Sequence, residues 1–290
     1  MTSAKPDGSR SEADSLSEAR ARLSRAPSDL CGADIAKGLE DGEFRLLYQP
    51  IVSVDAHRLI CVEALARWVR ADGQTIMPDV FIPLAERSGM IPALGLWVLR
   101  EACAQALRWP GVRLAVNMSP LQLQDATFVE SVRDVLAETG FPAALLELEL
   151  TEAVALGDAV NVRNDMAALR RQGVRLALDD FGTGYSGLIY LRRLPIDKIK
   201  IDREFMQALA VSADASILVR SMVQLGRDLG ITVTAEGVES VEVQAILADA
   251  GCDELQGYLF ARPLPASEID GIVARQNAGE LLYATKPHEA

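Results

Sequence analysis

Val174-Arg-Leu-Ala-Leu178 is a short apolar run that ends on Asp179-Asp180 and then on Phe181-Gly182. A run of this length and composition, bounded by glycine and followed by a segment of helical periodicity, reads as one buried strand with carboxylates at its C-terminal end. Ile231-Thr-Val-Thr-Ala235 repeats the arrangement and ends on Glu236-Gly-Val-Glu239. Further out, the same pattern places Glu63 after Val62, Glu149 and Glu152 in Glu149-Leu-Thr-Glu152, and Asp202 at the end of Lys200-Ile-Asp202. Strand and helix alternate along the chain, which describes a parallel sheet with helical crossovers.

Eight strands are expected, at 44–53, 59–68, 112–118, 145–150, 174–178, 198–201, 231–235 and 252–260. Helices are expected at 33–42, at 81–107 with a turn near Ile91-Pro92, and at 216–229, 241–250 and 266–276, where apolar residues recur every three or four positions. Eight strand and helix units fit a TIM-type (β/α)8 barrel, an α/β fold whose strand C-termini open on one face. These acidic segments then converge on one mouth. Pro50 breaks the ladder of the first strand, which marks that strand as unusual in its pairing.

The 290 residues suit one barrel with short tails, and 49% of them are hydrophobic, enough for a large core. No uncharged run approaches the roughly 20 residues that cross a bilayer. Residues 1–28 are rich in serine, alanine and charge and lack the apolar stretch of a secretory signal, so a cytoplasmic location is expected. Cys31, Cys61, Cys103 and Cys252 are scattered, with no CxxC pair, which argues against zinc and structural disulfides. The net charge is −12, and the eight carboxylates of the acidic segments account for two thirds of it, leaving −4 for the rest. Such a balance offers no basic track for polymeric nucleic acid. An anionic ligand would need bound cations.

Glu63, Glu149, Asp179 and Asp180, with the amide of Asn117, form an all-oxygen donor set suited to Mg²⁺ or Mn²⁺. Where a strand ends, adjacent aspartates can both face the opening, so Asp179 could bridge two ions with Asp180 on one of them. Paired ions about 3.5 to 4 Å apart activate water and stabilise in-line displacement at phosphorus. Helix capping is an equally good account of Asp180 alone, but a poor one of the whole set. Lys200 could orient the attacking water or neutralise charge on phosphate, or simply pair with a neighbouring carboxylate. Glu236 is a candidate base or metal ligand, and Glu239 a support of its loop. Phe181-Gly-Thr-Gly-Tyr185 could gate the mouth.

Tyr48-Gln-Pro-Ile51, Glu63-Ala-Leu65 with Arg67-Trp68, Asn117-Met-Ser119, Glu149-Leu-Thr-Glu152, Asp179-Asp-Phe-Gly-Thr-Gly-Tyr-Ser186, Lys200-Ile-Asp202, Ala235-Glu-Gly-Val-Glu239 and Gln256-Gly-Tyr258 resemble, in order, the signatures of the EAL-domain cyclic di-GMP phosphodiesterases. The resemblance implies a barrel with its first strand antiparallel, spanning residues 33–275, between a tail or linker at 1–32 and a polar tail at 276–290. It implies hydrolysis of cyclic di-GMP to pGpG with two Mg²⁺ or Mn²⁺ ions. Glu63, Asn117, Glu149 and Asp179 would hold one ion, and Asp179 and Asp180 the other. Glu63, Lys200 and Glu236 would be the catalytic residues. Gln49, Leu65, Arg67, Asp202 and Gln256 would bind substrate, and Glu152 and Glu239 would brace loops. A homodimer and an upstream sensory or GGDEF domain or partner are also implied. Ser186-Gly187-Leu188 and Ile189 depart from the usual loop after Gly-Tyr. The alternative within the family is a receptor that binds cyclic di-GMP without cleaving it.

Overall fold

The structure is a computed structural model, and it describes residues 29–151, 160–182, 191, 194–209 and 213–283. The tail at 1–28, Glu152, Gly187 and Ile189 lie outside the described residues. The chain forms two compact units, one comprising residues up to Arg45 with Ala66–Leu94, the other Leu46–Leu65 with the chain from Gly95 onward.

In the smaller unit, the end of strand β2 (Leu59–Val69) pairs antiparallel with β3 (Thr75–Ile76), a two-residue strand that the sequence pattern does not signal. Helices α1 (Gly32–Glu40) and α2 (Pro78–Ser88) complete it. Trp68 is its anchor, stacked on Phe44 at 5.2 Å between ring centres and meeting Phe81 edge-on. The indole Nε1 donates to Glu43 Oε2 at 2.8 Å, so the buried ring keeps its polar atom satisfied.

The larger unit is the barrel. Its strands follow the order β1 (Phe44–Ser53), β9 (Glu254–Gln256), β8 (Thr232–Ala235), β7 (Lys198–Ile201), β6 (Arg175–Phe181), β5 (Leu146–Thr151), β4 (Arg113–Asn117) and β2, and a pairing of β1 with β2 closes the ring. Every pair from β2 through β4 to β9 is parallel, whereas β1 runs antiparallel to β9. Pro50 falls where expected, between two pairings of β1: Tyr48 bridges Leu264, and the register with β9 resumes at Ile51. The last strand is shorter than the expected 252–260, because the chain leaves the ladder after Gln256 at the Gly257 turn.

Strand alternation decides what fills the barrel. In Leu146-Glu-Leu-Glu-Leu-Thr151 the leucines join the apolar layer under the helices, and Glu147 and Glu149 turn inward. Lys198-Ile-Lys-Ile201 does the same with two lysines inward. Outside this ring lie α3 (Ile91–Ala106), α4 (Pro120–Leu123), α5 (Phe128–Thr139), α6 (Val160–Arg171), α7 (Arg203–Leu209), α8 (Ala213–Leu229), α9 (Val241–Ala250) and α10 (Ala266–Asn277). The helices pack by the same logic, with Ala215, Val219 and Val223 of α8 buried at four-residue spacing.

Candidate active site

Two tiers of charge fill the barrel. The lower one is built from Glu147, Lys198, Glu254, Arg113 and Arg175. Lys198 Nζ lies 2.5 Å from Glu147 and 2.8 Å from Glu254, and Arg113 pairs with both glutamates. Thr234 Oγ1 donates to Glu254 at 3.1 Å. Glu147 and Lys198 are wholly buried, and charges so placed persist only when paired and hydrogen-bonded. Sequence reasoning passed over all five residues. The signal was present as charged residues alternating with Leu or Ile in β5 and β7.

The upper tier sits one strand repeat nearer the mouth. Lys200 Nζ is 2.6 Å from Glu236 Oε1, 2.8 Å from Glu149 Oε2, 3.4 Å from Asp179 Oδ1 and 3.7 Å from Glu63 Oε2. Four carboxylates from four strands or strand ends thus share one buried ammonium. Glu63 accepts from Asn117 Nδ2 and from Gln256 Nε2, each at 2.6 Å, and Gln256 also donates to Gln49 at 3.3 Å. Glu63 lies in the middle of β2 rather than at its end, but the pairing of β2 with β4 stops at Ala64, so Glu63 still marks the barrel rim.

Asp179 and Asp180 lie inside β6, which runs three residues beyond the expected 174–178. The ladder with β7 is irregular between Leu178 and Phe181, and Asp180 adopts a φ of 53°. A bulge of this kind re-aims consecutive side chains, as two adjacent aspartates at one mouth require. Asp202 follows β7, and its Oδ1 accepts from Glu204 N at 2.7 Å, capping α7.

A cavity of about 220 Å³ opens above this tier. Glu63, Asp179, Glu236 and Glu239 line it, together with Gln49, Leu65 and Gln256. Glu149 and Lys200 lie beneath, in contact with the lining carboxylates. Arg203, Gln207 and Tyr258 also line the cavity and were not foreseen. Arg67 belongs to the smaller unit, where its Nη1 donates to Ala66 O.

The electrostatics divide the carboxylates. Burial opposes ionisation of Glu63, but Lys200 and the donors Gln256 and Asn117 outweigh it and hold the group below its ordinary pKa. Burial pushes Glu236 up to about 8 against the pull of Lys200, with Asp179 and Glu63 adding to the rise. Burial, then the charges of Glu63 and Asp179, hold Glu149 well above the usual range despite Lys200. Asp180 is raised by burial and by the neighbouring charges of Asp179 and Asp202. Burial would strip Lys200 of its proton, but the surrounding carboxylates reverse that and keep it charged.

Among the described residues no three Asp, Glu, His or Cys side chains close around one ion-sized point. The Lys200 ammonium occupies the space between the carboxylates that would do so. The donor chemistry nonetheless fits a hard cation: the set is all oxygen, and Glu149 Oε1 is buried with no hydrogen-bond donor among the described residues.

Residues 33–263 match the model of the EAL domain. The chain belongs to the EAL domain family. This EAL domain is 44% identical over 231 residues to protein y4lL of Sinorhizobium fredii, covering 79% of this chain and 28% of that protein. It is 42% identical over 246 residues to the bifunctional diguanylate cyclase/cyclic di-GMP phosphodiesterase MucR of Pseudomonas aeruginosa, covering 83% of this chain and 36% of MucR. The chain therefore spans about a third of the length of the curated relatives it matches. The structure of the PaMucR phosphodiesterase in complex with c-di-GMP superposes with a TM-score of 0.78 at 42% identity, covering 82% of this chain and 98% of that one.

Proposed function

We propose that this EAL domain hydrolyses cyclic di-GMP to linear pGpG at the barrel mouth, aided by two Mg²⁺ or Mn²⁺ ions. The observation that carries the reading is the cluster of Glu63, Glu149, Asp179 and Glu236 around Lys200, one carboxylate oxygen of which, Glu149 Oε1, is buried without a donor among the described residues. Glu63, Asn117, Glu149, Asp179 and Asp180 would hold the ions. When bound, the ions supply Lewis-acid activation of water and neutralise charge on the phosphodiester. The likeness to a phosphodiesterase structure carrying c-di-GMP supports the choice of substrate.

In this reading Glu236 receives a proton from the attacking water, and Lys200, anchored by its carboxylates, keeps a fixed positive charge beside the reacting phosphate. Gln49, Leu65 and Gln256 hold the dinucleotide, with Arg67 and Asp202, while Glu239 and Glu152 steady the loops. A homodimer, a sensory or GGDEF partner and a cytoplasmic location belong to the same reading. No described helix is long and apolar enough to cross a membrane.

Incubation with cyclic di-GMP and Mg²⁺ or Mn²⁺, followed by chromatography for pGpG, is the test. Product is expected with either ion, and none with Ca²⁺ or excess chelator. Tight binding without product would make the domain a receptor, and turnover in excess chelator would remove the metal assignment.

A further inference from the structure

We propose that Arg203 is a substrate contact that grips the phosphodiester not undergoing cleavage, an assignment that rests on the cyclic di-GMP reading above. Arg203 and Gln207 stand four residues apart on α7 and so share a helix face, and both line the cavity. Among the described lining residues Arg203 is the one basic side chain, against four carboxylates. It makes no ion pair among the described residues, whereas Lys200 beneath the floor is saturated by them.

The arm is anchored at its base. Gly237, at φ 67°, lies so close to α7 that a Cβ there would overlap Arg203 Cβ and stand 3.1 Å from its Cα. That approach ties the root of Arg203 to the loop bearing Glu236 and Glu239 and leaves the guanidinium exposed at the cavity. A cyclic dinucleotide carries two phosphodiesters, each anionic. When one is at the carboxylate cluster, the other still faces an acidic wall and needs a cation of its own. A guanidinium fork matches two phosphate oxygens, and one with no ion pair among the described residues gives up none of those on binding.

The experiment measures KM and kcat for cyclic di-GMP with Mn²⁺, and Kd with Mn²⁺ omitted, for the native chain, Arg203→Ala and Arg203→Lys. Arg203→Ala is expected to raise KM and Kd at least tenfold while kcat stays within about threefold. Arg203→Lys should recover only part of that loss, because it keeps the charge but not the two-pronged fork. An unchanged KM and Kd in Arg203→Ala overturns the assignment, as does a fall in kcat alone. A lysine variant as weak as the alanine one overturns the phosphate contact in favour of a planar contact with the base. Should the native chain neither bind nor cleave cyclic di-GMP, the functional reading fails, a result distinct from all of these.

Discussion

Replacing Lys200 by methionine would leave Glu63, Glu149, Asp179 and Glu236 facing one another without the cation they share. Removing one partner of a buried ionic group costs about 3 to 5 kcal/mol. Lys200→Met should therefore lose about that much stability in chelator, regain part of it with Mn²⁺, and lose hydrolysis by at least about a hundredfold. Urea unfolding with and without Mn²⁺, beside the turnover assay, checks each part. The neighbouring aspartates should separate from each other. Asp179 lies 3.4 Å from Lys200 while Asp180 sits within the bulge, close to Asp202, so Asp179→Asn should deplete both metal positions and Asp180→Asn chiefly one. Counting bound Mn²⁺ per chain decides between them, and equal losses would argue against a bridging Asp179. Glu236 sets a pH signature. Its folded pKa of about 8 lies above the ordinary 4.5, so between those values the folded state holds a proton that the unfolded state releases. The metal-free protein should accordingly lose stability from this group as pH rises through that window. Metal binding at pH 7 should expel the proton, so calorimetry in buffers of different ionisation enthalpy should show release that fades by about pH 9 and shrinks in Glu236→Gln.

Strands β5 and β7 carry the lower tier as well as the upper, and the two can be separated by mutation. Lys198→Met would leave Glu147 and Glu254 with only the two arginines at the rim of the cluster. A loss of about 3 kcal/mol is expected, with KM little changed, measured by denaturant unfolding and steady-state kinetics. The strands themselves are readable from apolar runs and breakers, most of them to within one or two residues, because each must present an apolar face to the helix layer. The mouth carboxylates were readable for the same reason, since a charge at the end of such a run has few structural excuses. Glu147, Lys198 and Glu254 do not stand out in the sequence, because only the closed barrel shows that the alternation in these strands separates a charged lumen from an apolar helix layer. The backbone at Asp180 was not legible either. Its φ of 53° follows from an irregular register with β7, a pairing that no local pattern announces. Thr75–Ile76 is too short to show periodicity.

At the scale of the whole chain the net charge of −12 opposes an anionic ligand before any contact forms. At constant Mn²⁺, raising ionic strength from about 10 mM to about 150 mM shortens the screening length from about 30 Å to about 8 Å. Association of cyclic di-GMP should quicken several-fold over that range, as followed by stopped-flow mixing, and a slowing would show that local cations, not the chain's charge, steer capture. The tiers also bear on how the ring closes during folding. A one-residue slip of β7 would turn Lys198 and Lys200 outward into the apolar layer and send Ile199 and Ile201 into the lumen, leaving the glutamates of β5 without their lysines. A barrel filled with interchangeable aliphatic side chains could tolerate neighbouring alignments at modest cost. Here each misalignment strands several charges at once, so the ionic filling proofreads strand alignment, and the residues of the proposed site also select the one shear at which the ring can shut.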